Sequence, residues 1–270
     1  MRKLMMMSAA AVSLAAATPV LLLSGHGAAA QTAPAAPAPA TPAAPPAVAP
    51  APAAAPATPA PDSTGYYVNI VNLSISPASM TKFGAALNDD VSGAMSEAGV
   101  DEINPAVGLK DANQVFIYEV YNDVAAWNSH QKTVAYIKFI GVTMIMIKAY
   151  SIDPYTSVVI NKSATAQPAT GPLFVDVVAL DIVPAQLGSF MVAAKANAAL
   201  SVQEPGVRES DIAVSQKDPN HVLVYSVYDN SAAHDAHVTT DRFKAYVAAN
   251  KAMIGGRTTT AYTSVSMNSK

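Results

Sequence analysis

Tyr118-Glu119-Val120-Tyr121 is followed, 107 positions further along the chain, by Tyr225-Ser226-Val227-Tyr228, and the same offset carries His130 to His237. Working outward from these strands, the offset lays 67–160 over 174–267 without a gap. It superposes Pro77 on Pro184, Phe83 on Phe190, Glu97 on Glu204, and Gly99-Val100 on Gly206-Val207. It continues through Ala125-Ala126 on Ala232-Ala233, Thr133 on Thr240, and Tyr155-Thr156-Ser157-Val158 on Tyr262-Thr263-Ser264-Val265. About a third of the aligned positions are identical, far beyond chance for an ungapped match. One domain is written twice, in tandem, over 64–162 and 172–268.

Each copy predicts the same order of elements. Segments 66–75 and 173–183 are rich in Val, Ile and aromatic residues and read as first strands. Pro77 and Pro184 suit the first turn of a helix that runs toward Glu97 and Glu204 and is closed by Gly99 and Gly206. Second strands follow over 100–109 and 207–216. The turn chemistry of Lys110-Asp111 with Asn113, and of Lys217-Asp218 with Asn220, joins them to hairpin partners over 114–121 and 221–228. A second helix starts near Asp123 and near Asn230, and a last strand covers 150–160 and 257–267. The order β-α-β-β-α-β is that of a ferredoxin-like α+β domain, an antiparallel sheet with both helices on one face. The other face is apolar in each copy and has to be covered. The twin copy is the nearest cover, which predicts an intramolecular pseudo-dimeric α+β barrel.

The N-terminus reads as an export signal over 1–30. Met1-Arg2-Lys3 is basic, an apolar Ala-rich stretch follows, and small residues lead to Ala30, after which cleavage is expected. Residues 31–63 are almost wholly Ala, Pro and Thr, a composition that cannot bury an apolar face and reads as a Pro-stiffened spacer. The mature protein is therefore expected in the periplasm or outside the cell, with no membrane span left after cleavage. Cysteine is absent, which excludes disulfides, thiolate metal ligands and a catalytic thiol. A net charge of −3 without a basic stripe argues against nucleic acid as a partner.

The run Val115-Phe116-Ile117-Tyr118-Glu119-Val120-Tyr121-Asn122-Asp123, followed by Ala125-Ala126-Trp127, His130 and Tyr136, resembles the signature of the antibiotic biosynthesis monooxygenase domain family. The second copy matches it through Val222-Leu223-Val224-Tyr225-Ser226-Val227-Tyr228-Asp229, Ala232-Ala233, His237 and Phe243. The resemblance implies a dimeric α+β barrel whose halves each hold a small-molecule pocket. It further implies oxidation of a phenol or quinol by O₂ with no metal or flavin. The expected partners are then a small aromatic or apolar ligand and O₂, and no cofactor; further pairing of two such chains stays open.

Such chemistry asks for a base to generate the phenolate, apolar walls to hold the ring, and a donor to steady the anion. His130 and His237 are the candidate bases, because imidazole exchanges protons near neutral pH. The alternative is a structural histidine that ties its helix to a neighbouring loop. Tyr118, Tyr225, Tyr121 and Tyr228 are candidate ring-positioning groups, with Trp127, Tyr136 and Phe243 as further aromatic walls. Glu119 is a candidate catalytic residue that would orient a base or substrate in the first copy only, since Ser226 replaces it in the second, which is then expected to lack that group; the alternative is that Glu119 ends on a solvated edge with Ser226 as a neutral replacement. His234, His237 and Asp241 would share one face of a continuous helix and reach a metal. The first copy offers Trp127, His130 and Val134 there, so no metal is assigned. The run Gly141-Val142-Thr143-Met144-Ile145-Met146-Ile147 reads as a buried helix end or loop packed between the halves. The competing function is a non-catalytic, exported small-ligand-binding or interaction module on the same fold.

Overall fold

The computed structural model describes residues 65–270; the segments read as export signal and spacer lie outside the described residues. In the first half β1 (Tyr67–Ile75) is followed by a short 3-10 turn at Pro77–Ser79 and then α1 (Met80–Ala94), β2 (Val100–Gly108) and β3 (Gln114–Tyr121). It ends with α2 (Val124–His130), α3 (Val134–Thr143) and β4 (Ile147–Val159). The second half repeats this as β5 (Phe174–Ile182), a turn at Pro184–Gln186, α4 (Leu187–Ser201), β6 (Val207–Ser215) and β7 (His221–Tyr228). It closes with α5 (Ser231–Thr239), α6 (Asp241–Asn250) and β8 (Ile254–Ser264).

The eight strands close into one barrel in the order β1-β3-β2-β8-β5-β7-β6-β4. Two antiparallel seams join the halves. Ala106, Val107 and Gly108 of β2 pair with Ser264, Thr263 and Tyr262 of β8. On the opposite side Tyr155, Thr156 and Ser157 of β4 pair with Ser215, Val214 and Ala213 of β6. Closure leaves neither sheet with an open edge on which another chain could add a strand.

The two-residue period of the strands sorts side chains between two cores. Phe116, Tyr118 and Val120 of β3 enter the barrel with Val175, Tyr225 and Tyr262 from the second half. Their neighbours Val115, Ile117 and Tyr121 face outward, under Phe83, Leu87 and Val91 of α1 and Trp127 of α2. A corresponding layer joins Phe190, Ala194 and Ala198 of α4 to Leu180, Ile212 and Val222. Phe83 and Phe190, the repeated helix anchors, are almost completely buried, and each contributes about 1.5–3 kcal/mol by leaving water. Gly99 and Gly206 are repeated because the chain passes against the second helix there. A Cβ on Gly206, whose φ is +80°, would stand 2.6 Å from the Cβ of Ala233.

Three local expectations are corrected. The second helix of each half is two helices, because Thr133 (ψ 155°) and Thr240 (ψ 145°) are extended and start a new helix by accepting the N–H of Tyr136 and Phe243. Each threonine hydroxyl also donates to the carbonyl of the histidine three residues earlier, His130 or His237. The last strands begin three residues earlier than predicted, at Ile147 and Ile254. The methionine-rich run is not buried as a unit. Met146 packs inside, whereas Ile145 is 91% exposed on the turn between α3 and β4. Among the described residues no helix is long and apolar enough to cross a membrane.

Candidate functional site

Each half encloses a cavity between the outer face of its sheet and its helices. The first, of about 270 Å³, is walled by Leu73, Ile117, Trp127, Tyr136 and Phe139, with the carboxyls of Asp90 and Glu119 opening on it. The second, of about 520 Å³, is walled by Leu180, Ile212, Val224, Phe243 and Val247, with Asp176, His234 and His237 among its polar groups. Small-molecule sites typically measure roughly 300–1,000 Å³, so the first suits a single ring and the second something larger.

Strand alternation explains why Glu119 opens on the first cavity, since it lies between the inward residues Tyr118 and Val120 on the outward face of β3. Its Oε2 accepts hydrogen bonds from Asn69 Nδ2 at 2.8 Å and Tyr121 Oη at 3.2 Å. Burial pushes its pKa up to about 7, against the lowering effect of those two donors. Asp90, on α1, is likewise raised by burial, to about 6, and its Oδ1 has no hydrogen-bond partner among the described residues.

In the second half the acid changes strands. Asn69 and Glu119 are direct cross-strand partners of β1 and β3, and their repeat equivalents Asp176 and Ser226 are cross-strand partners of β5 and β7. The carboxyl therefore moves from β3 to the neighbouring strand position and stays on the cavity. Burial raises the pKa of Asp176, opposed by His234, whose Nε2 lies 3.9 Å from Asp176 Oδ2. Ser226 alone had suggested a lost acid; the structure corrects this, and the change of Asn69 to Asp176 across the repeat is the signal that reveals it.

His237 also lines this cavity, and its Nδ1 lies 2.7 Å from Glu204 Oε2. Glu204 Oε1 accepts from Arg242 Nε at 2.9 Å and Nη2 at 2.6 Å. Nδ1 facing a carboxylate carries the proton, which leaves Nε2 as an acceptor. Burial lowers the pKa of His237, so the neutral form prevails at neutral pH.

A family model described as antibiotic biosynthesis monooxygenase matches the sequence twice, over residues 66–141 and 174–249. The chain belongs to the antibiotic biosynthesis monooxygenase family. Solved structures with the same fold include a proposed monooxygenase from Fusobacterium nucleatum, at 20% identity and TM-score 0.70, covering 77% of this chain and 95% of that one. Another is a proposed monooxygenase from Lactobacillus acidophilus, at 18% identity and TM-score 0.69, covering 76% of this chain and 96% of that one. An anthrone oxidase-like protein is similar at 12% identity and TM-score 0.56, covering 76% of this chain and 93% of that one. Among curated proteins none matches the sequence.

Within this antibiotic biosynthesis monooxygenase tandem, the residues singled out from the sequence separate. Trp127, Tyr136 and Glu119 meet on the first cavity, and Tyr228, Phe243 and His237 on the second. His130 does not line the first cavity. It is 1% exposed, packed behind Trp127, Tyr121 and Tyr136, with Nδ1 3.2 Å from Glu97 Oε1. It ties α2 to the turn after α1, the structural alternative. Tyr121 serves the first cavity indirectly, through its hydrogen bond to Glu119. Tyr118 and Tyr225 are placed away from both cavities, because strand alternation turns them into the barrel. Tyr118 Oη donates to Asp211 Oδ2 at 3.1 Å, and Tyr225 Oη accepts from Asn104 Nδ2 at 3.4 Å.

The helical face that would have joined His234, His237 and Asp241 is interrupted at Thr240, which separates α5 from α6. Among the described residues, Glu102, Glu209 and Asp211 form a cluster whose carboxylate oxygens lie within 4.8 Å of one another in the barrel. Sequence reasoning missed it, although Glu102 and Glu209 are identical positions in the two copies. Lys162 Nζ sits 2.8 Å from Glu102 Oε2, and Asp211 Oδ1 accepts the backbone N–H of Asn161 at 2.9 Å. Burial and the neighbouring Glu102 push Asp211 up to about 8. Glu209 is raised as well, first by burial and then by Glu102. The group is thus an ion pair beside two carboxyls whose burial favours their protonated forms.

Proposed function

We propose that the protein is a monooxygenase that oxidises a phenol or quinol with O₂ using its own side chains alone. The observation that carries this reading is the Glu119 carboxyl, held near neutral pKa and opening on a cavity otherwise walled mainly by hydrocarbon and aromatic rings. Once ionised, Glu119 accepts the phenol proton, and Asn69 and Tyr121 hold the carboxylate in place. The phenolate passes one electron to O₂, and the resulting radical and superoxide combine at the ring carbon. Glu119 returns the phenol proton to the peroxide so formed and then takes the ring proton as the O–O bond breaks, giving a quinone and hydroxide, which leaves as water with the proton from Glu119. For a phenol unsubstituted at the oxidised carbon, phenol and O₂ become quinone and H₂O. In the second half, the contact of His237 Nδ1 with Glu204, at 2.7 Å, supports His237 as the base for the same proton transfer.

The test is oxygen uptake and quinone absorbance with a panel of phenols and hydroquinones, comparing the native chain with Glu119→Gln. Loss of a base of this kind lowers the rate by about 10²–10⁴-fold, read on the first cavity with His237→Gln present in both proteins. Uptake indifferent to Glu119 and His237 together overturns the catalytic reading and leaves a ligand-binding module. We also place the protein outside the cytoplasm, supported by the basic, then apolar, then small-residue order of 1–30. N-terminal sequencing of the protein isolated from its host is expected to begin at Gln31; an intact Met1 would overturn that.

A further inference from the structure

The two cavities share a scaffold but not a charge. The first is lined by Asp90 and Glu119 and by no lysine, arginine or histidine. In the second, their repeat positions are the neutral Asn197 and Ser226. Two cations join instead: Arg257 stands where the first half has Tyr150, and Lys244 where it has Ile137. Both are exposed, at the mouth. Trp127 is likewise replaced, by His234.

Neither cation is held in a close ion pair. Arg242 is held by Glu204, but Arg257 and Lys244 have no carboxylate within ion-pairing distance among the described residues. Arg257 Nε donates only to Thr259 Oγ1, at 3.2 Å, which leaves the fork of its guanidinium available. The acid that remains in this cavity, Asp176, has His234 Nε2 at 3.9 Å from its Oδ2 and also feels the charge of Arg257 from beyond ion-pairing distance. A planar guanidinium at the rim of an apolar cavity of about 520 Å³ matches a ligand that is a ring at one end and a carboxylate at the other.

We infer that the second-half cavity binds an aromatic carboxylate, its ring between the helices and the sheet and its carboxylate on Arg257 with Lys244 beside it, while the first-half cavity takes a neutral ring. The inference rests on the proposed function only for the aromatic nature of the ligand, and it is tested by binding, so it stands or falls apart from turnover. Trp127 is the only tryptophan of the chain and lines the first cavity, which makes its emission a reporter for that cavity alone.

The experiment titrates the full chain with 4-hydroxybenzoate and with its uncharged methyl ester, by calorimetry and by Trp127 fluorescence in parallel. 4-Hydroxybenzoate is expected to bind with little change in emission, and the ester to quench it. Arg257→Gln should weaken 4-hydroxybenzoate by about tenfold, the scale of one charge-assisted hydrogen-bonded pair, with the ester unaffected. Lys244→Ile should weaken it less, and added salt should weaken it in the native chain. Both variants change exposed side chains, and circular dichroism checks that they fold. Unchanged affinity in Arg257→Gln overturns the inference, as does quenching of Trp127 by 4-hydroxybenzoate or absence of binding. Discriminating binding without oxygen uptake would retain it and remove only the oxidation chemistry.

Discussion

Tyr118 and Tyr225, the same position in the two copies, lie face to face inside the barrel with ring centroids 4.0 Å apart and planes 5° apart. Each copy thus supplies half of one central contact. Tyr225→Ala should destabilise the chain by about 3–5 kcal/mol, the scale for removing a large buried aromatic side chain. Because the missing ring comes from both halves' shared core, the loss should appear as one cooperative transition in chemical denaturation. Separate transitions for the two halves would contradict a common core.

Glu119 sets the pH dependence expected of the first cavity. With Glu119 as the proposed base and its pKa about 7, the rate should rise as pH increases through 7 and level off above it. Glu119→Gln should remove that inflection along with most of the rate. An inflection that survives the substitution would assign it to another group.

His130→Ala should act on stability rather than on the proton transfer. Removing the ring leaves a hole behind Trp127 and an unpaired Glu97, a loss of about 2–4 kcal/mol. The residual activity at a temperature where the variant is folded should keep its inflection near pH 7. Disappearance of the inflection in His130→Ala, with the fold intact, would restore His130 as the base.

The carboxyls inside the barrel predict a stability that falls with rising pH. Asp211 titrates at about 8 when folded, against an ordinary value of 3.8, so the folded chain holds more protons than the unfolded one between those limits. The stabilisation is complete below about pH 4 and is lost as pH rises toward 8. Asp211→Asn, which copies the residue at the equivalent position in the first half, Asn104, should shrink the difference in melting temperature between pH 5 and pH 8. At about 2–4 °C per kcal/mol for a body of this size, the effect is measurable by calorimetry. An equal or larger difference in the variant would contradict retained protons at Asp211.

The barrel was legible in the sequence because two signals agreed. The repeat gave the element order twice, and the apolar alternation of Val115 to Tyr121 required cover on both faces of one strand. That alternation also decides which residues can reach a cavity. Tyr118 and Glu119 are adjacent and face opposite ways, so both could not line one pocket. The helix break at Thr133 and Thr240 was obscured by an apolar spacing that continues across it, although each threonine is a good helix cap. Asp176 was hidden for a different reason, since moving an acid between paired strands preserves its location in space while changing its location in the alignment. The cluster of Glu102, Glu209 and Asp211 depends on contacts between halves that no single copy displays.

Covalent fusion has a consequence at the centre of that cluster. In a dimer of identical chains, any residue beside the two-fold axis is met by its own copy, so replacing Asn104 by aspartate would bring a second aspartate with it. Here Glu102 and Glu209 still obey the symmetry, but Asn104 is matched by Asp211, and Lys162 by Ser269. One polypeptide can thus hold an odd number of acids and a single lysine about the axis, a charge arrangement closed to any symmetric pair.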